Sequence, residues 1–261
     1  MQASFARRLF SGTARRSLSN FSRRSNSSST WRLEEARKAG YNREGWTAIG
    51  NFVDCDAFRP RDRSEARRRF DIPEDAFVVL SVAAIKRHHK RIDYLIEEAA
   101  RFRKQADPRA FLLVAGASTS ESDSLRDLAA ERLGDAFRFL TNRPRNEMPA
   151  IYNTADVFVL CSLKEMMPIA LLEATASGLP CLVSTHPVVG WMAGDGGEGI
   201  EMERTGELAS ALTRYADPEF RAERGAAARR HAVETFSKTA IVSRYLEMYR
   251  SVIRLAQGGS Q

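Results

Sequence analysis

The chain has 261 residues, of which 43% are hydrophobic and 28% are charged, as expected of a globular protein large enough to bury its own core. Its three cysteines are widely separated and its four histidines have no zinc-ligand spacing, which excludes a disulfide scaffold and favours a reducing compartment. No apolar run approaches the roughly 18 residues of a membrane span. Six of the seven net positive charges lie in residues 1–30, so the remainder has no excess of charge that would indicate nucleic-acid binding.

Residues 1–30 contain six arginines arranged as three pairs, nine serines and no acidic residue. Such a segment can bury little apolar surface, so we predict that residues 1–44, which add a short helix, are largely disordered. The same composition is typical of a mitochondrial transit peptide. A solvated tail, sequence upstream of a misplaced start, and a stripe that binds anionic lipid are the alternatives. Residues 45–261 are predicted to form the folded domain.

Strands and helices are predicted to alternate from residue 77 onwards. The first strand, residues 77–85, is β-branched and continuously apolar, as in a sheet covered on both faces. This pattern predicts an α/β fold with a doubly wound parallel sheet and C-terminal helices. Further strands are predicted at residues 111–115, 137–140, 157–161, 181–184 and 200–202. Helices are predicted near residues 61–70, 92–102, 122–133, 147–154, 168–177, 207–215, 219–234 and 239–255.

A run of basic residues follows the first predicted strand, at residues 86–91 (KRHHKR). Right-handed crossovers place the carboxyl ends of all parallel strands at one edge, which is where ligands bind. Lys86 and Lys90 would meet the exposed N–H groups at the start of the next helix, and together they could hold a dianion such as pyrophosphate. The alternative is a solvated basic turn. No Walker-type glycine loop is present, so this is not a P-loop site.

Two carboxylates flank the start of the helix that follows the fourth strand. Glu165 and Glu173 are eight residues apart, which places them on roughly the same helix face. The backbone N–H groups of residues 167–171 would lie between them and point out of the helix start. This loop would therefore combine an anion cradle with two acceptors for the vicinal hydroxyls of a sugar or ribose.

Two other segments each allow two interpretations. Residues 184–187, with His186, and the glycines of residues 194–197 follow the fifth strand and could approach a ligand, or they could be an ordinary loop with a tight turn. Asp54 and Asp56 could share a divalent ion with phosphates, or they could form a turn. For these two acids we favour the turn.

Taken together, residues 49–253 resemble the C-terminal, donor-binding half of GT-B-fold glycosyltransferases of glycosyltransferase family 4. The resemblance rests on four segments that occur in the family's order: IGNFVDCDAFRP, VAAIKRHHKRIDYLIEEA, LGDAFRFLTNRPRNEMPAIYNTADVFVLCS and KEMMPIALLEATASGLPCLVS. The last contains the family's Glu-x7-Glu motif.

The resemblance implies roles for individual residues. Lys86 and Lys90 would contact the donor diphosphate, Glu165 the sugar hydroxyls and Glu173 the ribose hydroxyls, while residues 141–143 would lie beside the base. Lys86, Lys90 and Glu165 are thus the catalytic candidates. The donor-binding candidates are Lys86, Lys90, Arg143, Glu165, Met167, Pro168, Ile169, Ala170 and Glu173.

The resemblance also implies a retaining glycosyltransferase that moves a hexosyl unit from a nucleotide-diphosphate sugar to a glycan, lipid or other acceptor, with no metal and no cofactor. The family's Gly-x-Gly after the second strand reads Gly116-Ala117-Ser118, and its acid after the fifth strand is not found at residues 185–186. The family's N-terminal domain is not represented, so a separate chain could supply it. A non-catalytic nucleotide-sugar-binding subunit or a truncated, inactive fragment is the alternative. The expected location is cytoplasmic, with a peripheral membrane location or a transit peptide as alternatives.

Overall fold

The computed structural model describes residue 36, residues 38–40 and residues 49–258. Asn51–Lys238 form one compact unit, which contains the whole sheet, and the described residues from Thr239 onwards belong to a second unit. The disordered segment predicted for residues 1–44 lies almost entirely outside the described residues. The boundary predicted between residues 44 and 45 lies outside them as well.

The core is a six-stranded, entirely parallel sheet, which confirms the predicted doubly wound fold. The strand order is β3-β2-β1-β4-β5-β6, so the winding direction reverses between β1 and β4 and leaves a crevice above their carboxyl ends. Every residue of β4 and of β5 is buried, as expected of central parallel strands covered on both faces. The strands are β1 Phe77–Val82, β2 Ala110–Gly116, β3 Phe137–Thr141, β4 Val157–Leu160, β5 Cys181–Ser184 and β6 Gly197–Ile200.

Helices cover both faces of this sheet. The helices predicted between residues 61 and 255 are all present, including the short basic one at Arg63–Arg69, whereas the short helix predicted within residues 1–44 lies almost entirely outside the described residues. In the described part of the chain, no helix is both long enough and apolar enough to cross a membrane. The helices are α1 Arg63–Arg69, α2 Ile92–Gln105, α3 Ser122–Leu133, α4 Met148–Asn153, α5 Ile169–Ala176, α6 Pro187–Ala193, α7 Glu207–Tyr215, α8 Pro218–Phe236 and α9 Lys238–Gly258, with 3-10 turns at Arg145–Glu147 and Gly194–Gly196.

Most element boundaries differ from the prediction by up to three residues, including those of β1, β6 and α2. β1 ends at Val82 rather than at residue 85, and β6 comprises Gly197–Ile200 rather than residues 200–202. Helix α6 was not predicted, because its valines and Gly190 are weak helix formers. His186 caps this helix by accepting a hydrogen bond from the Val188 N–H at 3.3 Å.

The glycines after α6 permit close packing of helices. A Cβ atom on Gly196 would lie 2.3 Å from the Cβ of Ala228 in α8, and one on Gly197 would lie 2.2 Å from the Cβ of Ala193. Contacts this short are not possible for real Cβ atoms, so only glycine lets α8 approach the edge of the sheet. Close packing by itself therefore accounts for the glycines at these two positions.

A buried carboxylate joins the starts of the two strands that flank the crevice. Asp156, directly before β4, is 3% exposed, and its Oδ2 accepts a 2.8 Å hydrogen bond from the N–H of Val78 in β1. The same oxygen lies 2.8 Å from the equally buried guanidinium of Arg67, and Oδ1 lies 2.5 Å from Arg63. Because each buried charge has a partner, the cluster is compatible with the apolar interior.

Replacing Asp156 with alanine is expected to destabilise the fold strongly, since it leaves the buried Arg67 guanidinium without its counter-charge. Breaking a buried pair in this way costs about 3–5 kcal/mol. Urea unfolding followed by circular dichroism measures the effect. Asp127→Ala, at an exposed position in α3, serves as the matched control. A loss for Asp156→Ala no larger than that of the control would contradict this account.

Candidate functional site

The loops after β1 and β4 meet above the crevice. Lys90 Nζ, from the first loop, lies 2.5 Å from Glu165 Oε1, from the second, and His89 Nε2 lies 4.0 Å from the same oxygen. The Glu165 side chain is only 10% exposed. Two predicted residues that are 75 positions apart in the chain therefore form one ion pair, because β1 and β4 are neighbours in the sheet.

Only part of the basic run faces this ion pair. Arg87 is directed towards α3, where its guanidinium donates to Ser124 Oγ at 2.7 Å. Arg91 binds the backbone carbonyl of Met202 and stacks over the ring of Tyr94. His89 and Arg91 have left-handed backbone conformations, with φ of 72° and 54°. The tight loop thus separates the two arginines from Lys90.

The electrostatic field of the loop favours a neutral His89. Burial lowers the pKa of His89, and the positive charges of Lys90 and Lys86 lower it further, against the opposing effect of Glu165. Lys86 is half-buried, and its backbone carbonyl accepts a hydrogen bond from the N–H of Ile92 at the start of α2. Both effects, burial and the lysine charges, favour the neutral form of His89.

Glu173 lies on the other side of the start of α5 and is 2% exposed. Tyr152, which is fully buried in α4, donates to its Oε2 at 3.0 Å. Burial raises the pKa of Glu173, whereas Arg145 and the Tyr152 hydroxyl each lower it. This carboxylate is thus held in one orientation by a neutral donor.

Arg145 covers the outer side of the Glu173 carboxylate. Its side chain is 68% exposed, forms an ion pair with Glu173 Oε1 and lies over the ring of Phe58 at 5.3 Å. The Oε1 atom is buried but accepts no hydrogen bond of good geometry. The charge of this carboxylate is therefore balanced at Oε1 by a largely exposed arginine.

A cavity of about 440 Å³ opens beside Glu173. Its wall combines the carboxyl ends of β1 and β2 with the residues after β3 and the first turn of α5. The cavity therefore combines charged side chains, including Glu173, with apolar ones. The lining residues are Val82, Gly116, Ala117, Asn142, Arg143, Arg145, Met148, Ile169, Ala170 and Glu173.

The other residues predicted to bind the donor lie either at the start of α5 or in the loop after β3. Ile169 and Ala170 line the cavity at the first turn of α5, where the N–H of Leu171 donates to the carbonyl of Pro168 at 3.1 Å. Pro168 is the N-cap residue of that helix, and Met167 Sδ accepts a hydrogen bond from the N–H of Asn51 at 3.2 Å. Arg143 lines the cavity, but its guanidinium lies 3.8 Å from Glu147.

Asp54 and Asp56 form a turn, which is the interpretation that the sequence favoured. Asp54 Oδ1 accepts hydrogen bonds from the N–H groups of Asp56 at 3.0 Å and Ala57 at 2.9 Å. Across the described residues, no three histidine, cysteine or acidic side chains are grouped so that they could hold a metal ion. The expectation of a reaction without a metal stays a prediction.

Sequence reasoning missed three residues of this site. Tyr152 orients Glu173, Arg145 pairs with it, and Asn51 holds the loop before α5. Tyr152 and Asn51 both lie in segments that carried the family resemblance, which was the only signal available for them. Arg145 also lies in such a segment, but an arginine in a polar loop is usually solvated and gave no signal of its own.

The fold and the site together define a Rossmann-like domain whose carboxyl edge offers lysines, helix N–H groups and two oriented carboxylates. Residues 62–231 match the family of glycosyl transferases group 1, so the chain belongs to this family. A D-inositol 3-phosphate glycosyltransferase from Thermomonospora curvata is 34% identical over 215 residues, which cover 76% of this chain and 49% of that relative. The chain thus spans about half the length of the curated relatives it matches.

Solved structures with the GT-B fold share this architecture. The C-terminal domain of LpcC, a group 1 glycosyl transferase from Francisella tularensis, has a TM-score of 0.63 and 21% identity, covering 71% of this chain and 99% of that one. Anabaena Alr3699/HepE, solved with UDP and glucose, has a TM-score of 0.71 and 21% identity, covering 84% of this chain and 60% of that one. At these identities the likeness shows the fold alone.

The raised pKa of Glu173 predicts a specific pH dependence of stability. Between the unfolded and folded pKa values the folded protein binds more protons, so the penalty for the buried charge is present at neutral pH and disappears as pH falls. Relative to Glu173→Gln, the wild type should therefore gain unfolding free energy as the pH is lowered from neutral towards the ordinary pKa of glutamate, about 4.3. Urea unfolding at each pH measures this. A difference that does not vary with pH, or that varies equally for the exposed Glu131→Gln, would contradict it.

Proposed function

We propose that this chain is the donor-binding half of a retaining glycosyltransferase, which transfers a hexosyl unit from a nucleotide-diphosphate sugar to a glycan, lipid or other acceptor. The observation that carries the proposal is the pairing of Lys90 with Glu165 on one side of the start of α5, and the buried Glu173 on the other. A nucleotide-diphosphate sugar has hydroxyl groups on both sides of a diphosphate, which matches this order of groups.

In this proposal Glu173 accepts hydrogen bonds from the ribose hydroxyls and Glu165 accepts them from the sugar. Lys86, Lys90 and the first N–H groups of α5 bind the diphosphate. As the bond between the sugar and the diphosphate breaks, its electron pair moves to the diphosphate oxygen, and these groups stabilise the added charge. The acceptor oxygen forms the new bond to the sugar, and its proton passes to the departing diphosphate oxygen.

Family membership and the activities of similar proteins support this proposal. The Thermomonospora relative is named a glycosyltransferase, and the Anabaena structure holds UDP and glucose. Because the chain spans about half of its relatives' length, the acceptor site is proposed to come from an N-terminal domain, which a separate chain could supply. The cytoplasmic location expected from cysteine usage is part of the same proposal, and cell fractionation tests it.

A non-catalytic nucleotide-sugar-binding subunit or an inactive fragment is the second candidate, and it is favoured by the same partial length. Turnover distinguishes the two. Transfer or donor hydrolysis by the purified chain supports the enzyme, whereas donor binding with no turnover supports the second candidate.

Glu173→Ala is expected to weaken binding of the preferred nucleotide by about ten- to a hundredfold, since hydrogen bonds to a charged acceptor contribute about 1.5–3 kcal/mol. Calorimetric titration of residues 31–261 with UDP, GDP and ADP measures the affinity. Glu131→Ala, an exposed acid on α3, should leave it unchanged. Equal affinity in both variants would remove Glu173 from the site, and no binding of any nucleotide by the folded wild type would contradict the proposal.

Lys90→Ala is expected to weaken binding of that nucleoside diphosphate by about tenfold or more and to leave the affinity for its nucleoside unchanged, because Lys90 is assigned to the phosphates. Titration with UDP and uridine, or with the corresponding pair of the preferred base, separates the two contributions. Lys104→Ala, at an exposed position near the end of α2, is the matched control. Equal losses for the nucleoside and its diphosphate would place Lys90 elsewhere.

A further inference from the structure

The loop after β1, which carries Lys86 and Lys90, is held by the loop that leads into α3. The backbone N–H of Ile85 donates to the carbonyl of Ala117 at 3.0 Å, so the pairing of the two segments continues beyond the ends of β1 and β2. The hydroxyl of Thr119 donates to the carbonyl of Ile85 at 2.5 Å. The residue that precedes Lys86 is therefore bonded through both of its backbone polar groups.

Glu121 holds the residue on the other side of Lys86. Its Oε2 accepts a hydrogen bond from the backbone N–H of Arg87 at 3.0 Å. The Arg87 guanidinium lies 3.8 Å from the same oxygen. Glu121 is the N-cap residue of α3, yet its side chain makes no capping hydrogen bond within that helix. Its carboxylate thus bonds to the neighbouring loop instead of to its own helix.

The backbone carries this contact from Arg87 to Lys90. The carbonyl of Arg87 accepts a hydrogen bond from the N–H of Arg91 at 2.9 Å, which closes a turn that contains Lys90. His89 and Arg91 in this turn have left-handed conformations, which persist in residues with a side chain only where the surroundings fix the backbone. Glu121 bonds to the first residue of the turn, and so it contributes to fixing that backbone.

The negative charge of Glu121 would by itself oppose the binding of an anion to this loop. Like charges that lie close together repel each other, so an acid beside a phosphate-binding loop lowers the affinity for phosphates through its charge alone. If Glu121 acts instead by holding the backbone, its removal weakens phosphate binding. The two roles therefore predict effects of opposite sign.

We propose that Glu121 is a positioning residue for the donor diphosphate, and that it holds the loop so that Lys86 and Lys90 are oriented before the ligand binds. Groups that are already ordered lose less conformational freedom on binding, which raises the affinity. The inference rests on the proposed function and adds to it a residue that acts through the loop without contacting the ligand.

Two substitutions of Glu121 separate its hydrogen bond from its charge. Glu121→Ala removes both, whereas Glu121→Gln removes the charge and keeps a side-chain oxygen that can accept from the Arg87 N–H. Asp123→Ala removes the same charge from an exposed position in the first turn of α3, and it is the matched control. Urea unfolding followed by circular dichroism establishes that each variant is folded.

Calorimetric titration of the full chain with UDP and uridine, GDP and guanosine, and ADP and adenosine measures the contribution of the phosphates. We expect Glu121→Ala to weaken binding of the preferred nucleoside diphosphate by about fivefold, the contribution of about one hydrogen bond. The affinity for the corresponding nucleoside should not change. Glu121→Gln should retain most of the wild-type affinity, and Asp123→Ala should not weaken it.

The outcomes separate this inference from the proposed function. An affinity for the diphosphate that is unchanged or higher in Glu121→Ala overturns the positioning role, and so does an equal loss for the nucleoside. A loss in Glu121→Gln as large as that in Glu121→Ala overturns it as well, because the hydrogen bond would then not be what matters. Failure of the folded wild type to bind any of these diphosphates overturns the proposed function itself.

Discussion

A single buried carboxylate holds together the two strands on which the site depends. Asp156 fixes the start of β4 against β1 through the Val78 N–H and is neutralised by arginines from α1. The crevice between β1 and β4 lies at the opposite, carboxyl end of the same strands. The charged cluster and the loops of Lys90 and Glu165 thus lie at opposite ends of the same two strands.

Both site carboxylates are paired with cations in the ligand-free protein. Lys90 neutralises Glu165, and Arg145 neutralises Glu173. A ligand that carries phosphates and hydroxyl groups offers each member of these pairs a new partner, since phosphates accept from lysine and hydroxyls donate to carboxylates. The exchange leaves no buried charge without a counter-charge. Because the charges would be balanced both with and without the ligand, acidic side chains can lie beside lysines at a site that would bind an anion.

The sequence was sufficient to predict most of the fold. Continuous β-branched runs predicted β1 and β4, and helical periodicity predicted α2 and α3, because these elements are long or fully buried. Prediction failed for α6, whose formation depends on the His186 cap and on packing rather than on helix propensity. It also failed for the exact position of β6, a short edge strand rich in glycine.

What the sequence determined by itself was the set of chemical groups at one edge: lysines after β1, and two acids around the start of α5. Their partners were decided by the tertiary structure. Lys90 rather than Arg87 meets Glu165 because the loop turns through left-handed residues, and Tyr152 and Arg145 reach Glu173 from a different helix and turn. Local patterns report which residues lie in which element, whereas contacts between distant segments depend on strand order and loop conformation, and no short-range pattern encodes these.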